Sequence, residues 1–275
     1  VTDQEHNASG GQAIALVVAY DGAPFAGFAR QDGLRTVQGE LERALSVALR
    51  REVLTVGAGR TDAGVHALGQ VVSFDAVGDE PESGPLMRSL NALAGDGIVV
   101  REVRRAREGF SARFDASARE YRYRIVTGVV PPLFLAPVAW WPGRELDIDA
   151  MREGAAHLLG EHDFKSFCVA ASAEGKRTVR RLDAIELTEE EVLGERCLTV
   201  RVVGNAFLHS MVRTIVGTLV DVGSRRRSPA WVADALAACD RAAAGQTAPA
   251  HGLTLWSVAY PDEVWLPSTS EGENG

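Results

Sequence analysis

Two periods of apolar residues alternate along this chain. Residues 14–20 (IALVVAY) form a run of strand formers closed by Asp21-Gly22, and predict a strand. Residues 36–50 predict a helix, with Thr36 suited to the N-cap and Val37, Leu41, Leu45 and Leu49 recurring on one face. Apolar runs at 53–56 and 71–74 predict short strands. Residues 85–94 predict a helix with proline at its start, and 98–103 a strand after the turn Gly95-Asp96-Gly97. The order β-α-β-β-α-β is that of a ferredoxin-like unit.

The second half repeats this order with one helix added. Strands are expected at 121–126, 179–187, 198–203 and 253–260. The proline-rich stretch 129–142 predicts an irregular connection, and 149–159 a helix with Gly160 at C′. A long amphipathic helix is expected at 205–222, and another from Ser228-Pro229, with serine at N-cap and proline at N1. The expected fold class is therefore α+β. It comprises two tandem ferredoxin/RRM-like βαββαβ units in a mixed, largely antiparallel sheet, with helices packed on one face. The units are expected at 12–112 and 113–265, with disordered tails at 1–11 and 266–275.

Composition narrows the class. Hydrophobic residues make up 46% and charged residues 24%, as in ordinary globular proteins. The polar start lacks an apolar h-region, so no signal peptide is expected, and no apolar run is long enough for a membrane span. Cys168, Cys197 and Cys239 are widely spaced without a CxxC pattern. They predict free thiols in a reducing cytoplasm, with neither disulfides nor bound metal. The net charge of -8 argues against a nucleic-acid partner, but residues 101–124 hold eight arginines against four acids. Screening confines each field to about 8–10 Å, so such a band can still meet phosphates. Ordinary surface ion pairs are the other reading.

Chemistry concentrates in residues 57–66, GAGRTDAGVH. The glycines allow tight turns or a close approach to a ligand. Arg60 and Asp62 lie two apart, so in an extended stretch both point to one side. A carboxylate beside a guanidinium is held in place, as a nucleophile or base requires. A Gly/Asp-rich loop that merely turns remains the alternative. His66 and His209 have no third ligand at a sensible spacing, and neither is assigned a role.

The run GRTDAGVHALGQV resembles the active-site motif of the TruA family of tRNA pseudouridine synthases. YDGAPFAGFARQ, TVQGELERAL, FSARFDASAREYRYRI, LLGEHDFKSF, GNAFLHSMVRTIVGTLVDVG and GLTLWSVAYPD resemble further family segments, in family order. The chain departs from the family at Phe28 and Ala29, and at Ser210 and Thr214. The resemblance implies catalysis by Asp62 with Arg60, an active-site tyrosine at Tyr121, an arginine near the aspartate at Arg213, and Leu253 lining a uracil pocket. It also implies isomerisation of uridines 38, 39 and 40 in the tRNA anticodon stem-loop, by a cytoplasmic homodimer without a cofactor. Arg101 to Arg124, with Lys176, Arg177, Arg180 and Arg181, are then candidates for phosphate contacts.

Overall fold

The computed structural model describes residues 11–78 and 80–267. The tails expected to be disordered fall outside them, apart from Gly11, Leu266 and Pro267. Contacts divide the chain into two units. Of the described residues, one comprises those within 11–61, 67–117 and 258–267; the other comprises 62–66 and 118–257.

In the first unit the elements are β1 (Ala13–Tyr20), α1 (Val37–Leu49), β2 (Val56–Gly57), β3 (His66–Asp75), α2 (Ser83–Leu93) and β4 (Ile98–Ala106). The order across the sheet is β4-β1-β3, with β2 beside β3, and every pairing is antiparallel. This is the ferredoxin-like arrangement that the element order predicted. Thr36 caps α1, accepting the Gly39 N–H at 3.3 Å. Val37, Leu41, Ala44 and Leu45 form the buried face of that helix. The expected strand at 53–56 shrinks to two residues because its amides have other acceptors. The Thr55 N–H goes to the Glu42 carboxylate at 2.9 Å, and the Val53 N–H to the Ser46 hydroxyl at 3.2 Å.

The second unit contains β5 (Ala118–Val126), α3 (Ile148–Ala156), β6 (Gly160–Asp163), α4 (Ala170–Ala173), β7 (Val179–Val192), β8 (Glu195–Gly204), α5 (Met211–Gly223), α6 (Trp231–Ala237) and β9 (Leu253–Ala259). The last two residues of β9 group with the first unit. The strand order β9-β5-β8-β7 repeats that of the first unit, and β6 extends the edge. Neither β6 nor α4 was expected. Gly160 does not close the helix before it: α3 ends at Ala156, and Gly160 opens β6 with φ +97°. Strands β7 and β8 run well past their apolar cores because Leu193 (φ +53°) and Gly194 (φ +78°) form a two-residue turn between paired Val192 and Glu195. Such a turn matches strand twist and lets the ladder continue through polar sequence. Helix α6 begins at Trp231, later than Ser228-Pro229 suggests. The preceding turn closes with i to i+3 bonds from Trp231 and Val232 to the Ser228 and Pro229 carbonyls, both 3.1 Å.

Helix α5 is the core of this unit, with buried residues almost all round, and it starts later than its apolar pattern implies. Residues 205–210 are held as a loop. The Asn205 carbonyl accepts from Arg119 at 2.7 Å, and its side chain accepts the Arg181 N–H at 3.0 Å. Phe207 packs edge-on against Tyr121 at 5.0 Å. Ser210 then turns the chain with a left-handed φ of +59°.

A strap at 245–248 runs close along α5. The Gly245 N–H donates to Thr218 Oγ1 at 2.9 Å, and the Ala248 N–H to the Arg213 carbonyl at 3.1 Å. A Cβ on Gly217 would stand 1.8 Å from the Gln246 carbonyl oxygen, a backbone atom that no rotamer change can move aside. Gly217→Ala should therefore destabilise the protein by about 3 kcal/mol or more, although alanine is the better helix former. Urea denaturation of the two proteins measures this.

Candidate active site

The loop begins in the first unit. The Ala58 N–H donates to Val71 at 2.8 Å, and the Gly59 carbonyl accepts from Gln70 Nε2 at 2.8 Å. Gly57 leaves room for the Phe28 ring, which a Cβ there would meet at 2.4 Å. Thr61 is anchored twice: its hydroxyl bonds that of Tyr20 at 2.8 Å, and its carbonyl accepts the Phe28 N–H at 3.1 Å. Burial pushes the Tyr20 phenol up from 10.0 to about 12, against the pull of its bonds to Thr61 and Gln70. The residue preceding Asp62 is thus fixed by a buried neutral hydroxyl pair.

Residues 62–66 group with the second unit. The Asp62 carbonyl accepts the Val65 N–H at 3.1 Å, and Gly64 completes the turn at φ +78°. The Asp62 carboxylate meets three side chains. Oδ2 accepts from Arg213 Nη1 at 2.7 Å and from Ser210 Oγ at 2.8 Å. Oδ1 lies 3.3 Å from His209 Nε2. Ser210 is the N-cap residue of α5, but its hydroxyl makes no capping bond and goes to Asp62 instead. The carboxylate therefore sits by the positive end of a helix as well as beside a guanidinium.

Arg213 is held from behind. Its Nε donates to the Ala248 carbonyl at 2.8 Å, so the strap fixes the plane of the fork that grips Asp62. Side-chain exposure is 18% for Arg213 and 21% for Asp62, which makes this a half-buried pair open on one side.

The other expected residues are placed as follows. Tyr121 and Tyr123 share the buried face of β5. Tyr121 abuts Phe207, two residues before His209. Tyr123 donates to the Pro249 carbonyl at 2.8 Å, and burial raises its phenol far above the usual tyrosine range while the nearby Arg213 charge pulls it down. Leu253 is buried at the start of β9, beside β5 in the sheet. Before it, Gly252 gives Tyr123 room: a Cβ would meet that ring at 2.5 Å.

Arg60 is exposed and takes no part in the hydrogen bonds or ion pairs found among the described residues. The guanidinium beside Asp62 is that of Arg213, distant in sequence. The sequence reading assigns His209 no role, for want of a third ligand at a sensible spacing, and marks Ser210 only as a departure from the family pattern. No group of three or more His, Cys, Asp or Glu able to hold a metal occurs among the described residues. No helix there is long and apolar enough to cross a membrane.

Much of the basic band is tied to neighbouring acids. Arg104 pairs with Glu102 (3.1 Å), Arg107 with Asp115 (2.6 Å), Arg122 with Glu120 (2.8 Å) and Arg181 with Asp183 (2.8 Å). Arg122 also lies 3.8 Å over the Trp256 ring. In the run after α5, Arg225 pairs with Asp147 and Arg226 with Asp221.

A family profile described as tRNA pseudouridine synthase matches residues 155–261. The tRNA pseudouridine synthase A of Brevibacillus brevis is 47% identical over 249 residues, covering 90% of this chain and 99% of its own. That of Bacillus subtilis is 45% identical over 252 residues, covering 90% and 98%. That of Methylococcus capsulatus is 44% identical over 253 residues, covering 92% and 91%. Among solved structures, an H/ACA RNP bound to a substrate RNA matches with a TM-score of 0.34 and 15% identity, over 75% of this chain and 44% of that one, which is too loose to argue from.

The Tyr20 phenol gives a test of the anchor on Thr61. Its folded value lies near 12 against 10.0 unfolded, so its contribution to stability is complete below pH 10 and is lost as the pH rises towards 12. Denaturation curves across that range should show a steeper loss for the native protein than for Tyr20→Phe.

Proposed function

The chain belongs to the tRNA pseudouridine synthase A family, isomerases acting on tRNA uridine, and from that premise we propose that it converts uridines 38, 39 and 40 of the anticodon stem-loop with Asp62 as the reacting carboxylate. Pseudouridylation breaks the N1–C1′ bond, turns the base and joins C5 to C1′. Atoms are conserved and no oxidant is needed, so a positioned anionic group and a pocket for the base suffice. The observation that carries the reading is the grip of Arg213 and Ser210 on Asp62, at 2.7 and 2.8 Å.

Asp62 attacks C1′, attacks C6, or removes a proton from C2′; each route uses the same carboxylate oriented towards the nucleotide. Arg213 supplies the counter-charge as the pocket closes over the base. The target uridine leaves its stack, Tyr121 holds the flipped base, and Leu253 lines the uracil pocket. Arg60, exposed beside Asp62 in sequence, is available to a substrate phosphate, as are Arg101, Lys176 and Arg177. The enzyme works as a cytoplasmic homodimer on the tRNA anticodon arm, without a cofactor. The unpaired thiols Cys168, Cys197 and Cys239 accord with a reducing compartment.

The test is release of tritium from tRNA labelled at C5 of uridine. Native protein should release label. Asp62→Asn should lose at least about a thousandfold in rate while still binding tRNA. Arg213→Ala should lose about a hundredfold in kcat. Binding without release from several well-folded tRNAs would replace this reading with that of an RNA-binding protein.

A further inference from the structure

The two oxygens of the Asp62 carboxylate are unequally held. A carboxylate oxygen has two in-plane acceptor positions. Both donors to Oδ2 are close: Arg213 Nη1 at 2.7 Å and Ser210 Oγ at 2.8 Å. Oδ1 accepts no hydrogen bond among the described residues, and His209 Nε2 lies 3.3 Å from it as a looser contact, an ion pair when the ring is protonated. An oxygen filled by two donors is a poor nucleophile and a poor base, because its electron pairs are already engaged. We infer that Oδ1 is the reacting oxygen, and that His209 is a positioning residue that sets its direction while leaving one electron pair open to the uridine.

The surroundings fit this role. An ionised carboxylate only accepts, so the His209 ring can steady Oδ1 only with Nε2 carrying its proton. The main chain of His209 is fixed on both sides. Its carbonyl accepts the Val169 N–H at 3.2 Å, and Ser210 follows in the left-handed conformation at φ +59°. The side chain itself is 52% exposed, so it stands on the open side of the carboxylate, where a substrate must approach. Arg213 and Ser210 hold the group at Oδ2 from the helix side, and His209 borders Oδ1 on the other.

This rests on Asp62 as the reacting carboxylate, and the experiment separates the two claims. Tritium release at saturating tRNA is measured for native protein, His209→Ala, His209→Gln and Asp62→Asn, with thermal melting and direct tRNA binding measured on each. His209→Ala should lower kcat about tenfold, as expected for one donor to a charged acceptor, with KM within about twofold. His209→Gln can place an N–H donor where Nε2 stands and should recover kcat to within about threefold of native. A merely structural histidine would not show this rescue. The inference is overturned if His209→Ala keeps the native kcat. It is also overturned if His209→Gln melts and binds tRNA as native but stays as slow as the alanine variant. Activity surviving in Asp62→Asn would overturn the reading of Asp62 instead.

Discussion

Everything at the site depends on how one guanidinium is held. Arg213 bonds Ala248 through Nε and Asp62 through Nη1, so a single planar group links the strap, the helix and the loop. A half-buried carboxylate without such a partner carries a desolvation penalty that nothing else nearby offsets fully. The arrangement in turn requires the strap to lie almost on the helix backbone, which only a missing side chain at residue 217 permits. A glycine inside a helix costs local stability, and here it sets the position of a charge on the preceding turn.

The same helix accounts for the two donors next to Arg213. Ser210 adopts a conformation unfavourable for a residue with a Cβ, which starts α5 abruptly and turns its hydroxyl outward to the carboxylate. The 205–210 loop tolerates this because it is tied at Asn205 by Arg119 and Arg181, and at Phe207 by Tyr121. An aromatic proposed to hold the base thus also braces the loop that carries His209.

What was legible in the sequence was whatever depends on local pattern. The Thr36 cap, the apolar stripe of α1, the long strand of β1 and the core of α5 all follow from periodicity, and the strand order follows from the succession of elements. Where tertiary partners override pattern, the sequence misleads. Ala206, Phe207 and Leu208 extend the apolar helix backwards, yet packing and side-chain anchors keep them out of it. Residues 53–55 have strand composition, but the amides of Val53 and Thr55 are satisfied by side chains of α1. Spacing suggested Arg60 as the partner of Asp62, whereas the guanidinium that pairs with it comes from far along the chain. The resemblance pointed to Arg213, but neither spacing nor resemblance pointed to the donors beside it.

The grip on Asp62 also has an order in which chain entropy favours its assembly. The Arg213–Ala248 bond closes 35 residues of chain, and the Arg213–Asp62 bond closes 151. The longer closure costs about 1.3 kcal/mol more in the flexible-loop limit. The nearer partner therefore orients the arginine at the lower closure cost, and the carboxylate is the costlier contact to bring to it.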